Sequence, residues 1–265
     1  MATITLLTDF GTQDAYVGSM KGVIAQINPS ALMVDLTHQI APQDILAARF
    51  VWLHSYPYFP VGTVHLAVVD PGVGTQRRAI AAEFDRGFLV GPDNGLLASA
   101  LAQVGDYEAV ELTNPDYWLT PHPSQTFHGR DIFAPAAAHL SRGVALQALG
   151  KPAVSLAPLE LPACQPIENG IEGSIQYVDR FGNLITNIPA AQVSERAWTI
   201  TCHQQTVTSQ ATYGAVAYGH LLSLIGSHGW VEIAVNGGSA ARALEAAVRD
   251  TVRLFFHRES DRAVP

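Results

Sequence analysis

The sequence predicts an α/β N-terminal domain with a largely parallel sheet flanked by helices, followed by a smaller, mostly antiparallel C-terminal domain, a barrel or a sandwich. Three observations predict it. Apolar strand-like runs alternate with helix-compatible segments through the first half, a Pro-containing stretch without sustained periodicity follows, and short strands with tight turns fill the remainder. The boundary falls between residues 160 and 161, giving domains of 1–160 and 161–265.

The elements follow in order. Strand-like runs lie at Ile4–Leu7, Leu32–Leu36, Val64–Val69 and Phe88–Val90. Between them, Ala15–Ile27 and Gln43–Ser55 carry apolar residues at three- and four-residue intervals, the spacing of one helix face. Strands alternating with helices indicate a parallel, doubly wound sheet, in which ligands bind beyond the carboxyl ends of the strands. A further helical pattern covers Ile132–Leu140, and Lys151–Gly170 reads as a linker. Gly173–Val178, the turn Asp179-Arg180-Phe181-Gly182 and Asn183–Ile188 read as a hairpin. Strands are expected again at Trp198–Cys202, Gln205–Ser209, Trp230–Val235 and Thr251–Phe256.

Composition excludes some functions. A chain of 265 residues buries a full core without staples, and its net charge of −8 supplies no basic field for a phosphate backbone, so nucleic acid is not an expected partner. Cys164 and Cys202 lie in no CxxC or Cys-His spacing, which suits a reduced compartment. No signal-peptide pattern opens the chain and no apolar stretch is long enough to cross a bilayer, so a cytoplasmic location and no membrane partner are expected.

The candidate chemistry sits at strand ends. The run His65-Leu66-Ala67-Val68-Val69 delivers Asp70 into a Pro71-Gly72-Val73-Gly74 turn that leads to Arg77. A carboxylate leaving a buried strand before two glycines stands where backbone can approach a ligand closely. The layout recurs at Thr8-Asp9-Phe10-Gly11 and at Gly91-Pro92-Asp93-Asn94-Gly95. His128 precedes a glycine just ahead of the third helical pattern, where an imidazole can exchange a proton near neutral pH. Asp131 is read as the cap of that helix. No HxxxH, HxH or HxxEH cluster is present, so no metal and no cofactor is expected. A Walker loop, a GxGxxG fingerprint and a GxSxG elbow are also missing.

Six segments in order carry a family resemblance. TDFGTQDAYVG (Thr8–Gly18), VVDPGVGTQRR (Val68–Arg78), GPDNGLL (Gly91–Leu97), FHGRDIFAP (Phe127–Pro135), DRFGNLITNI (Asp179–Ile188) and GSHGWVEIAVNGGSAA (Gly226–Ala241) resemble the S-adenosyl-L-methionine hydroxide adenosyltransferases. These adenosine-forming hydrolases are related to the fluorinase and chlorinase 5′-halo-5′-deoxyadenosine synthases. The resemblance implies an N-terminal α/β domain and a C-terminal antiparallel β-barrel domain, assembled as a homotrimer whose sites lie between neighbouring subunits. It implies that Asp9 holds the ribose hydroxyls, and that Asp14 and Asp179 meet the methionine ammonium. Ser227 and the backbone at His228 would contact the methionine end. Asn183 would read the adenine edge with backbone near Val235 and Gly237, while Phe181 and Tyr213 pack on the ring. The family's Asp-Arg-His set falls on Asp70, Arg77 and His128.

The halogenases place a Tyr at the Asp70 position and a Thr at the Val73 position, and carry an insertion absent between Asp93 and His128. They also have an Arg where this chain has His228 and a Trp where it has Gln43. The expected reaction is attack of water on C5′ of S-adenosyl-L-methionine, giving adenosine and L-methionine. The thioether leaves neutral and needs no acid, so the task is to orient and deprotonate water, with Asp70 and His128 both candidate acceptors. A carboxylate at Asp70 would repel a halide, which argues against a halide adenosyltransferase. Two readings from different classes stand beside it: a metal-dependent hydrolase built on Asp9, Asp70, Asp93 and His128, and a nucleoside-binding protein without activity.

Overall fold

The computed structural model describes residues 2–193 and 196–257. The chain divides into two compact units, Met1–Glu160 and Leu161–Pro265. In the first unit, strands β1 (Thr3–Thr8), β2 (Leu32–Thr37), β3 (Thr63–Val68), β4 (Ala79–Phe84), β5 (Gly87–Pro92), β6 (Tyr107–Glu111) and β7 (Lys151–Pro152) form one sheet in the order 2-1-3-5-4-6-7. β1, β2, β3 and β5 are parallel, whereas β4, β6 and β7 add antiparallel pairs. The sheet is therefore mixed and not wholly parallel. The departure arises because β4 and β5 form a tight hairpin about Asp85-Arg86 instead of a helical crossover.

Helix α1 (Tyr16–Ile27) packs on α4 (Ala134–Ser141), and α2 (Ile45–Ser55) packs on α3 (Leu96–Leu101). Period-two alternation splits the sheet residues between two layers. Ile4, Leu6, Val64, Leu66 and Val68 join Met20, Ile24 and the Ala136–Ala138 run of α4 in one buried cluster. Thr5, His65 and Phe84 serve the other side, where Trp52 of α2 is fully buried.

That second layer contains a histidine in an apolar cage. The His65 ring lies among Trp52, Tyr56, Phe59 and Phe84, with Nδ1 2.8 Å from the Thr5 hydroxyl oxygen. Burial, with a smaller contribution from the Arg86 charge, pushes its pKa down to about 3. The unfolded value is about 6.5. Above that pH both states are neutral; below it only the unfolded chain takes up the proton, so stability falls as pH falls from about 6.5 toward 3. Between pH 7 and pH 5 the loss from this one residue is expected to be about 2 kcal/mol. Urea unfolding of the native protein and of His65→Leu at both pH values checks it: the variant should show the shallower pH dependence, and parallel slopes would refute the assignment.

In the second unit, β8 (Gln165–Ile167), β9 (Gly170–Val178), β10 (Leu184–Pro189), β11 (Trp198–Cys202), β12 (Gln205–Thr208), β13 (Leu221–Ile225), β14 (Trp230–Val235) and β15 (Thr251–Phe256) pair antiparallel in the order 12-11-15-9-10-14-13, with β8 beside β9. A bridge between Ser209 and Ser223 draws the two edges together, so the sheet is nearly closed into a barrel. Ile175, Leu184, Ile200, Val231, Ile233 and Leu254 fill its interior. The expected strands at Trp198–Cys202, Trp230–Val235 and Thr251–Phe256 appear with those limits. β8 and β13 were not legible in the sequence: β8 falls in the stretch read as linker, and in β13 LLSLI shows no clean alternation. Among the described residues no helix is long and apolar enough to cross a membrane.

Candidate active site

In the first unit, β1 and β3 are parallel neighbours with Thr8 in register with Val68, so Asp9 and Asp70 leave adjacent strand ends. The Asp70–Arg77 segment turns back on itself: Val73 N–H donates to Asp70 O, and the Thr75 hydroxyl donates to Gly72 O at 2.7 Å. Gly74 has φ +77, and a Cβ there would collide with Gln125 O. Only glycine permits this approach, which sets the segment against the strand of chain that leads to His128.

Arg77 ties the three candidate residues together. Its Nε donates to both Asp70 oxygens, at 2.9 and 3.1 Å, and its Nη2 donates to Oδ2 as well. The same Nη2 lies 2.8 Å from His128 Nδ1. Both members of the ion pair are nearly buried, with side-chain exposures of 9% for Arg77 and 5% for Asp70, and the guanidinium lies over the Phe133 ring. A guanidinium offers only N–H groups, so His128 Nδ1 must present its lone pair and the ring proton resides on Nε2. Burial, followed by the Arg77 charge, pushes the His128 imidazole below its usual range against the opposing pull of Asp70 and Asp131.

Most of the other candidates of this unit have partners of their own, and one of them departs from its expected role. Asp131 caps no helix: it lies inside a five-residue π-helical turn, Gly129–Phe133, that runs into α4. Its carboxylate accepts the Ser124 N–H at 2.7 Å and the Arg130 Nε at 2.6 Å, which secures the loop before His128. Asp93 pairs with Arg78 and accepts the Ala157 N–H at 2.7 Å, a clip between the end of β5 and the segment after β7. Asn94 donates to Val69 O at 2.7 Å. Asp9 accepts the Gln43 N–H at 2.8 Å, and Gln43 itself has φ +68. Asp14 is exposed, two residues ahead of α1. Among the described residues no group of three or more His, Cys, Asp or Glu side chains is placed to hold a metal ion.

The second unit holds a pocket of about 750 Å³. All eight candidate residues of this unit line it: Asp179, Phe181, Asn183, Tyr213, Ser227, His228, Val235 and Gly237. The β9–β10 turn supplies the first three. There Asp179 Oδ1 accepts the Phe181 and Asn183 N–H groups, both at 2.9 Å, and Oδ2 accepts the Asn183 amide at 2.9 Å. The Asp179 carboxylate thus shapes the turn as well as facing the pocket. Phe181 and Tyr213 leave 76% and 43% of their surface exposed, an arrangement that a planar apolar ligand would cover.

Glu232, Gly238 and Arg242 also line the pocket and were missed in the sequence. Glu232 had a signal: it is the one charged residue in the otherwise apolar β14, WVEIAV. Burial, and then the Glu232 hydrogen bond, push the Tyr213 phenol well up.

Comparison with known proteins matches both halves of the chain to one family. Residues 4–150 match the SAM hydroxide adenosyltransferase N-terminal domain and residues 173–253 match the C-terminal domain of the same family. An (R)-S-adenosyl-L-methionine hydrolase of Salinispora tropica is 43% identical over 95% of this chain and 97% of its own length. One from Thermus thermophilus is 41% identical over 96% of this chain and 100% of its own. A fluorinase of an Actinoplanes species is 30% identical over 70% of this chain and 71% of its own. A crystal structure of an uncharacterized conserved protein from Thermotoga maritima superposes with a TM-score of 0.89 at 35% identity, covering 96% of this chain and 100% of that one. With both halves matched in order and full-length relatives at this similarity, the chain belongs to the SAM hydroxide adenosyltransferase family.

Proposed function

We propose that the chain hydrolyses S-adenosyl-L-methionine to adenosine and L-methionine by in-line attack of an activated water on C5′. The observation that carries this reading is Arg77 held between Asp70 and His128. The names of its hydrolase relatives specify the (R) epimer at sulfur, and that epimer is the proposed substrate. The substrate carries a sulfonium and an ammonium, which suits the acidic groups at the candidate positions.

The tautomer of His128 divides the labour. Its Nδ1 lone pair is taken by Arg77, so the ring presents an N–H at Nε2, fit to orient the oxygen of water. Asp70 is the proton acceptor, because a carboxylate has about four acceptor directions and Arg77 does not use all of them. The Arg77 charge stabilises the hydroxide as it forms. Asp9 holds the ribose, Asp14 and Asp179 the ammonium, Ser227 and the His228 backbone the methionine end, and Asn183 the adenine edge with backbone near Val235 and Gly237. Phe181 and Tyr213 pack on the ring. A halide would meet the Asp70 carboxylate, which disfavours the fluorinase-type reaction.

The test is a labelled-water experiment. With both sulfonium epimers in ¹⁸O water and EDTA present, label is expected in adenosine and none in methionine, with the (R) epimer consumed. Unlabelled adenosine, methylthioadenosine as the main product, or activity lost with the chelator would overturn the mechanism.

The family resemblance implies assembly as well, and we place the chain in a homotrimer with shared sites. Light scattering should return a trimer, and a fully active monomer would refute the shared site. The two free cysteines support a cytoplasmic location.

A further inference from the structure

Glu232 is only 3% exposed, yet it stands midway along an apolar strand. Alternation along β14 explains its direction: Val231, Ile233 and Val235 enter the barrel interior, so Glu232 points to the opposite face. A carboxylate buried without partners costs several kcal/mol, so its bonding decides what it does there. Oε1 accepts the Tyr213 hydroxyl at 2.7 Å, and Oε2 lies 3.0 Å from His228 Nε2. His228 Nδ1 accepts the Trp230 N–H at 3.2 Å, which leaves the ring proton on Nε2, aimed at Glu232. Gly226 makes this possible, because a Cβ there would collide with the His228 ring and lie 2.7 Å from Oε2.

We propose, building on the substrate reading above, that Glu232 is the positioning residue of the pocket: one oxygen fixes the Tyr213 ring for the nucleoside, the other fixes His228 and its loop for the amino-acid end. Tyr213 sits on the short turn Tyr213–Ala215 and is half-exposed, so nothing on its own element dictates the ring's angle. His228 lies on the tight loop between β13 and β14, next to Ser227. Two loop elements from different parts of the barrel are thereby referred to one rigid strand, which lowers the ordering cost of binding. The His228 side chain is committed to Glu232, so the methionine end is met by backbone and Ser227 and not by this imidazole.

Four variants test the proposal through KM, kcat and product inhibition by adenosine and by L-methionine. Glu232→Ala removes both anchors and should raise KM about 10- to 100-fold with kcat changed far less. Glu232→Gln should recover most of the affinity, since its oxygen can accept from His228 while its amide donates to a rotated Tyr213 hydroxyl. Tyr213→Phe should weaken adenosine inhibition selectively. Gly226→Ala removes no polar group and has no left-handed backbone to strain; its Cβ strikes the His228 ring first and touches Glu232 Oε2, so it should weaken L-methionine inhibition more than adenosine inhibition.

A folded Glu232→Ala protein with native KM overturns the inference, and so does Glu232→Gln as impaired as Glu232→Ala, which would assign the effect to charge. If Glu232→Ala does not fold, unchanged product inhibition in both Tyr213→Phe and Gly226→Ala overturns it. Failure of the substrate reading is distinguishable, because the native protein would then form no labelled adenosine.

Discussion

Asp70→Asn is expected to lower kcat by about two to four orders of magnitude while leaving substrate affinity within a few-fold. The amide keeps the shape of the side chain and can still accept from Arg77 through one oxygen, but it cannot take a proton from water. His128→Ala removes the Nε2–H that orients the same water, so the double variant should be little worse than either single one. Asp9→Asn provides the contrast: it touches the ribose reading and should act mainly on binding. Single-turnover rates beside calorimetric affinities decide the matter. Native turnover in Asp70→Asn would remove this carboxylate from the chemistry.

Arg77→Met is expected to be the most damaging single change because it strikes folding and chemistry together. The Asp70 side chain is only 5% exposed, so loss of the guanidinium leaves a buried carboxylate without its counter-ion. Breaking such a pair from one side costs about 3–5 kcal/mol. Methionine keeps contact with Phe133 but none of the N–H groups. Loss of the charge that stabilises the forming hydroxide should lower kcat as well. Thermal unfolding, and kcat measured well below the unfolding transition, check both halves. A variant with native stability would show that the pair is not the anchor of this loop.

Motifs were legible where chemistry forces residue type onto backbone geometry. Asp70 in front of Pro71-Gly72-Val73-Gly74 marked a strand end with close approach, and Gly74 does meet Gln125 at a distance no side chain would allow. The hairpin about Asp179–Gly182 was equally plain, since the Asp and Asn side chains bond their own turn. Asp131 misled because a carboxylate just ahead of a helical run has the same sequence appearance whether it caps that run or turns back to Ser124. β4 carries no strand signal of its own, since nothing local distinguishes AIAAEF from a helix.

The sequence by itself determined the identities that matter: the strand-end carboxylates, the order of the six motifs, an acidic chain without metal-ligand spacing, and a division into an α/β half and a strand-rich half. These follow from periodicity and covalent stereochemistry, which act over a few residues. Only the tertiary structure decided that Arg77 sits between Asp70 and His128, and hence which nitrogen of His128 carries the proton. It alone placed Glu232 against Tyr213 and His228. Hydrogen-bond partners 51 residues apart in the first case and 19 in the second are selected by packing, because burial leaves each polar group to find the one donor or acceptor within reach.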